Sequence, residues 1–526
     1  MLFNSTGLEK RVAKRSKDGA SGMAESVGKS TFPYIKSNVH IAILIFGIAV
    51  PWLQNMSLGP AQNLSAELLA LAVLSALLLF NSCCIQTATL YGWIVASVVS
   101  AAIGLTQYFG WSELGGNLIA QAPAGVAFAN LRQRNMFASL ISIGLATIIF
   151  LFKNKQGKLN LNQPNSLLGR SIHFGAIAVL AVVLAASNSR TGSLQLLILI
   201  LLALYWNRKS WKLNAPLWFF VVLVYLFAAF ELPQLSDMVT GQKSMGLIDR
   251  IRADVDCGSR PVLWSNVLHL IAQKPWFGWG WGELDYAHFV TLYPGERFCD
   301  ILDNAHNLPL HLAVELGVPI AMVLCGLVGW LVWRAKPWAE THPTRQLAWA
   351  VLAVIGLHSM LEYPLWYGPF QLTVVLCVWM LYAVPARHLE RRKIGALPFE
   401  MRASVASVLI VVCAYAAWDY WRISQIYISP EKRAAAYRTD TLAKIQSSWL
   451  FQNQVRFAEL TITELTLANA QHMYELALGL LHFSPEPRVV KKLVESATML
   501  GKDAEAMYYL QRFKAAFPKE YAQWKR

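Results

Sequence analysis

Charged residues are scarce in this 526-residue chain: Asp, Glu, Lys and Arg make up 15%, against 55% hydrophobic residues and a mean hydropathy of +0.39. So small a charged fraction leaves too much apolar surface for an ordinary water-soluble domain and makes lipid part of the solvent. Acidic residues are the scarcer sign, 31 against 46 basic ones, for a formal net charge of +15. That excess does not indicate nucleic acid, because Lys and Arg fall in short clusters between apolar runs, the distribution that orients a membrane protein. Metal-ligand spacing is missing too: the histidines lack the pairing of a zinc site, and no carboxylate cluster forms a divalent-cation cage. Neither a metal nor another cofactor is expected. A signal-peptide pattern is also lacking, since the first apolar run begins near Asn38 and is followed by many more instead of a small-residue cleavage site. Residues 1–36 read as a basic, disordered cytoplasmic leader. Its Gly28-Lys29-Ser30 is not a phosphate loop: the upstream glycine comes one residue too early and no strand precedes it.

What the chain does have is apolar runs. A helix needs about 20 mostly apolar residues to cross the hydrocarbon core, somewhat fewer with snorkelling flanks. Candidate spans lie near 38–53, 64–80, 89–109, 136–152, 173–186, 192–206, 215–231, 308–333, 347–361, 366–382 and 403–421. The fold class expected is therefore an all-α polytopic membrane protein of about eleven transmembrane helices, with a large loop at 232–307 and a soluble helical tail.

Basic residues collect in the leader (Lys10, Arg11, Lys14, Arg15, Lys17) and at Lys153/Lys155/Lys158, Arg208/Lys209/Lys212, Arg334/Lys336/Arg345 and Arg387/Arg391/Arg392/Lys393. Alternating spans put all of these on one side, as the positive-inside rule requires. On the other side fall 110–135, 187–191, 232–307, 362–365 and everything after Arg422. Arg132, Arg134, Arg190, Arg250, Arg252 and Arg260 run against that bias and need another reason to be there.

Arg190, in Ser189-Arg190-Thr191-Gly192, sits between two apolar runs with almost no loop, which holds its guanidinium at the membrane–water boundary. It is either a snorkelling arginine or a clamp for a lipid-linked phosphate, whose oxygens suit a planar fork of donors. Arg260, in Cys257-Gly258-Ser259-Arg260-Pro261, heads a Trp-rich segment to Trp281 that is too broken to span and reads as an interfacial helix and turn; the alternative is a surface salt bridge with Asp254 or Asp256. His306, in Asp303-Asn304-Ala305-His306-Asn307, stands at the same boundary; it is either a cap or satisfied core residue or, histidine being the usual general base, the group that takes a proton from an attacking hydroxyl. In His358 to Tyr367, Tyr363 is either aromatic belt or site, and Glu362 reads as structural, pairing with an arginine. Cys257 and Cys299 bracket the stretch between Arg260 and His306 and form a candidate disulfide in an oxidising compartment.

In order, spacing and shared placement, Ser189-Arg190-Thr191-Gly192, Ser259-Arg260 with Trp264, the Gly-Trp-Gly segment, and His306-Asn307 with Leu310, Glu315 and Gly317 resemble the O-antigen ligase and polymerase superfamily. Asn130-Leu131-Arg132-Gln133-Arg134-Asn135 and His358 to Tyr367 narrow the resemblance to PglL-type bacterial protein O-oligosaccharyltransferases, over roughly 38–421. The resemblance implies a GT-C-like glycosyltransferase of the bacterial inner membrane, its site facing the periplasm. It would move a glycan en bloc from undecaprenyl diphosphate to a Ser or Thr hydroxyl of a periplasmic protein such as a pilin, without a metal.

By the same resemblance His306, Arg190, Arg260 and Tyr363 would be the catalytic set, and Arg132, Arg134, Asn135, Asn307 and Glu315 would bind substrate. Arg134 stands where relatives often have proline. Ser429 to Arg526 has alanine-rich helical periodicity, and Arg488 to Tyr521 resembles a tetratricopeptide helix–turn–helix; such helices would either present a concave surface to a protein acceptor or pack on the membrane domain. Two other functions fit less of the chain: an O-antigen ligase or polymerase with a sugar acceptor, and a transporter or flippase, which calls for internal repeats and midplane ionisable residues.

Overall fold

The computed structural model describes residues 31–55, 59–61, 63–80, 82–153, 167–208, 211–242, 246, 257–384 and 398–524. Most of the leader with Gly28-Lys29-Ser30, the basic residues Lys155, Lys158, Lys209, Arg387, Arg391, Arg392 and Lys393, and Arg250, Arg252, Asp254 and Asp256 lie outside the described residues. Every regular element among those described is helical. The apolar runs form α1 (Thr31–Leu53), α2 (Leu64–Leu77), α3 (Ser82–Tyr108), α4 (Arg134–Lys153), α5 (Leu167–Ala186), α6 (Arg190–Trp206) and α7 (Trp211–Thr240). After the large loop come α10 (Leu308–Leu316), α11 (Val318–Ala335), α12 (Pro343–Ser359), α13 (Gly368–Ala383) and α14 (Phe399–Ser424), and within that loop lie α8 (Arg260–Gln273) and α9 (Leu284–Val290).

Five of these, α3, α4, α7, α11 and α14, contain stretches long and apolar enough to cross a membrane, while α1, α2, α5, α6 and α13 supply shorter apolar stretches. The chain is a polytopic helical membrane protein. Burial separates the roles of its helices: 78% of the apolar window of α4 is buried inside the protein, against 6% of that of α11. Accordingly α4 is the hub, packed on α3, α5, α6 and α12, whereas α11 presents Met322, Val323, Val328 and Trp333 outward, the side chains a lipid-facing helix needs.

Two expectations are corrected. The run 308–333 is not one helix: α10 ends at Gly317, whose φ of +89° belongs to glycine, and α11 starts afresh at Val318. A Cβ at Gly317 would lie 2.2 Å from the Trp276 carbonyl oxygen, so the break lets the Trp276–Trp281 turn pack against the backbone. Hydropathy alone could not reveal it, because both halves are apolar. The seventh run does not stop at Glu231 but continues to Thr240 through Pro233. Burial of Leu232 and Ser236, with the Ser236 hydroxyl donating to the Tyr108 carbonyl at 3.4 Å, carries the helix past the one hydrogen bond that the proline removes.

The large loop folds around its own core, with Val262, Leu263, Val267 and Leu270 of α8 against Leu284, Phe298, Leu302 and Val314. A Cys257–Cys299 disulfide closes it at one edge. The tail forms α15 (Thr441–Ile445), α16 (Gln452–Ile462), α17 (Ala470–Leu480), α18 (Pro487–Met499), α19 (Asp503–Ala516) and α20 (Pro518–Trp524), with α18 packed on both α17 and α19. It does not stand apart. Its core takes in Phe289 and Tyr286 from α9, Arg512 Nε donates to the Val290 carbonyl at 2.7 Å, and His482 stacks on Tyr286 at 3.9 Å. Buried Asp419 near the end of α14 bonds Arg422 and Ser448 and accepts from the backbone N–H of Trp449 and Leu450, joining the last membrane helix to the tail.

Candidate functional site

One carboxylate gathers the candidate residues. Glu362, in the short link between α12 and α13, has a side chain 7% exposed and forms an ion pair with Arg260 at the start of α8. Its second oxygen lies 2.7 Å from His306 Nδ1, and Asn135 Nδ2 donates to the first at 2.9 Å. Glu362 does pair with an arginine, and with a histidine and an amide as well. Burial pushes this carboxyl up, but the hydrogen bond and charge of His306 and the Arg260 guanidinium outweigh burial and hold it below its ordinary value. The group is a permanent anion at neutral pH that orients two cation-capable side chains.

Local structure places each partner. His306 has a left-handed backbone, φ +49°, and its N–H donates to Asn304 Oδ1 at 2.9 Å; that conformation costs of order 1–3 kcal/mol and marks a position the surroundings over-determine. The adjacent Asn307 caps α10 by accepting from the Leu310 N–H at 3.1 Å, and its Nδ2 donates to the Met360 carbonyl at 3.0 Å. Asn307 thereby fixes the start of α10 to the end of α12. Tyr363 sets its ring edge-on to His306 at 5.0 Å. Burial keeps the Tyr363 phenol well above its ordinary pKa, so it is a proton donor and not an anion.

Arg190 is the first residue of α6 and is exposed, with no partner among the described residues. Its tie to the cluster runs through the backbone. Ser189 caps α6 by accepting from the Gly192 N–H at 3.0 Å and donates to Asn135 Oδ1 at 2.6 Å, and Asn135 in turn holds Glu362. Gly192 permits this approach: a Cβ there would lie 2.9 Å from that of Ala138 on α4. The Ser-Arg-Thr-Gly spacing is thus a capped helix start pressed against α4 with a free guanidinium at its tip.

The other expected residues are distributed. Arg134 opens α4 at the first helical position, where proline is also accommodated. Arg132, left-handed at φ +57°, donates to the Asn55 carbonyl and side chain at 3.2 and 3.0 Å. Glu315 does not join the cluster: it is buried beside His311, 3.5 Å away, beneath the rings of Trp281 and Trp366. Burial pushes its carboxyl up to about 7 and pulls His311 down to about 4, so near neutral pH the histidine is uncharged and the carboxyl is only partly ionised. Behind the cluster, Ser139 of α4 bonds His358 Nδ1 at 2.8 Å and accepts from Gln195 of α6 at 2.6 Å. Gln195 carries no signal in sequence beyond being polar in an apolar run. Among the described residues no group of three or more His, Cys, Asp or Glu side chains is placed to hold a metal.

The class these features define is a helical membrane protein with an arginine–glutamate–histidine cluster at the ends of its helices. Three family models match the chain in order. Residues 127–152 match a protein glycosylation ligase, 175–325 an O-antigen ligase, and 346–526 the C-terminal part of a virulence factor membrane-bound polymerase. Similar curated proteins are a general O-oligosaccharyltransferase of Acinetobacter baylyi, 25% identical over 58% of this chain and 50% of its own length, and a ComP-specific O-oligosaccharyltransferase of the same organism, 26% identical over 49% and 44%. The chain spans about half the length of the curated relatives it matches. It is a homologue of these O-oligosaccharyltransferases and carries the O-antigen ligase family segment.

Proposed function

We propose that this protein is a glycosyltransferase that moves an oligosaccharide en bloc from a polyprenyl diphosphate, undecaprenyl diphosphate in bacteria, to a Ser or Thr hydroxyl of a periplasmic acceptor protein such as a pilin. It would lie in the inner membrane with about eleven crossings, its cluster and helical tail on the periplasmic side. The observation that carries the reading is the joint hold of Glu362 on Arg260 and His306. With Nδ1–H of His306 donating to the carboxylate, Nε2 presents a lone pair to the acceptor hydroxyl, the orientation logic of any base steadied by a third group.

The hydroxyl oxygen forms its bond to the anomeric carbon as the bond from that carbon to phosphate oxygen breaks. The hydroxyl proton passes to His306 Nε2 and the electron pair leaves on the diphosphate. Arg260 and the exposed Arg190 oppose the charge that develops there, a contribution of about 3–4 kcal/mol for one such donor in comparable sites. A diphosphate is already a good leaving group, so positioning and charge stabilisation suffice without a covalent intermediate or a metal. Asn135, through Glu362, and Asn307, through the Met360 carbonyl, act as positioning residues for the cluster.

Reconstitution with a lipid-linked glycan and a candidate pilin tests this. Glycopeptide is expected with the pilin, and Arg190→Ala, Arg260→Ala and His306→Ala are each expected to abolish it while the protein stays in the membrane. Transfer to a saccharide acceptor alone would replace the reading with that of a ligase or polymerase, and unchanged transfer by His306→Ala would remove His306 from the mechanism.

A further inference from the structure

A cavity of about 210 Å³ opens beside Tyr363, whose ring also meets His306, and is lined by Gln54, Asn63, Arg132, Gln133, Tyr363 and Tyr367. Among the described residues no acidic side chain lines it, which argues against a cation. Its one charge, Arg132, is already engaged by Asn55 through two hydrogen bonds, which argues against a dedicated anion site. What remains is neutral amides and phenols beside aromatic faces. Gln54 Oε1 accepts from Ser65 and Gln133 Oε1 from the Met136 N–H, both at or near 3 Å, which leaves the two Nε2 groups as donors without a partner among the described residues. Tyr367 adds a hydroxyl bonded to Asn63 and Tyr363.

We infer that this cavity holds a sugar ring of the glycan carried by the lipid-linked donor. The inference rests on the donor reading above and assigns the place where the glycan is recognised. Amide donors and phenolic hydroxyls match the hydroxyl groups of a pyranose, and Tyr363 and Tyr367 offer aromatic surface to its C–H groups. The volume is below the roughly 300–1,000 Å³ of pockets that enclose drug-sized ligands, so it takes one ring and not a chain. Tyr363 is shared between the two: its ring meets His306 edge-on and it lines the cavity. A ring seated there lies next to the cluster that receives the diphosphate, and selection among glycans falls to Gln54, Gln133 and Tyr367.

The test measures binding of three ligands to the full chain in nanodiscs: undecaprenyl diphosphate, the same lipid carrying one N-acetylhexosamine, and the same lipid carrying a trisaccharide. The glycosylated lipids are expected to bind about tenfold more tightly than the bare one. In the double variant Gln54→Met/Gln133→Met that gap should close while affinity for bare undecaprenyl diphosphate stays as in the parent, which also reports that the variant is folded. Tyr367→Phe, keeping the ring, should narrow the gap in part. A gap that survives both variants overturns the cavity assignment and leaves the donor reading standing. Absence of binding by all three lipids to the parent protein overturns the donor reading and the inference with it.

Discussion

Glu362 meets three partners with two oxygens, and its charge is what lets Arg260 and His306 stand side by side. Glu362→Gln keeps the shape and removes the charge. We expect transfer to fall at least about 100-fold, the lower end of what a positioned acid or base contributes, measured as kcat/KM with the reconstituted donor. The same variant reports on pH. The folded-state pKa of Glu362 lies below its ordinary 4.5, so its ionised form contributes stability that is fully present above about pH 4.5 and is lost as pH falls through the lower, folded value. The stability difference between parent and Glu362→Gln should therefore be flat from pH 7 down to about 5 and shrink only in stronger acid. A difference already shrinking between pH 7 and 6, followed by thermal unfolding in detergent, would show that the hub is not held by this carboxylate.

At the scale of elements, the break at Gly317 and the closed loop deserve direct tests. Gly317→Ala forces a side chain into a φ of +89° and into the Trp276 carbonyl; strain of order 1–3 kcal/mol is expected, read as a drop in unfolding temperature with activity reduced in proportion, since Asn307 and His306 precede the same helix. The disulfide closes a separation of 42 residues, which in the chain-entropy account stabilises the loop by about 4 kcal/mol. Reducing it, or making Cys257→Ser with Cys299→Ser, should speed proteolysis within 257–307 while sparing the spans. Equal cleavage rates with and without reductant would count against a stabilising role. Helix α10 shows why the run 308–333 misleads when read alone: hydropathy averages over a window, and a single glycine with a left-handed backbone disappears in that average.

For the whole molecule the decisive question is sidedness. Cysteines placed one at a time at 190, 260, 306 and 363 should all react with a membrane-impermeant thiol reagent from the periplasmic side, and one placed at 208 or 336 only after lysis. Labelling of positions 190 and 306 from opposite sides would break the cluster apart. Docking of the tail through Arg512, His482 and the α9 core makes it part of the same body as the large loop.

The sequence by itself determined the helical membrane class, the order of the apolar runs, and that Arg190, Arg260, His306 and Tyr363 stand next to the ends of apolar runs. These are local properties: hydropathy over a window, clustered basic residues, and polar groups at the ends of apolar runs. Only the tertiary structure decided that Glu362 is their common partner, because its bonds to Arg260 and Asn135 join residues 102 and 227 positions apart and exist only once α4, α8 and α12 have packed. The same holds for Ser139, His358 and Gln195, and for the cavity beside Tyr363, whose walls come from four separate stretches of chain. Glu315 shows the reverse: it has the right neighbours in sequence, yet packing turns it toward His311 and away from the cluster. A buried hydrogen bond depends on where two distant backbones come together, and no single window of sequence contains that information.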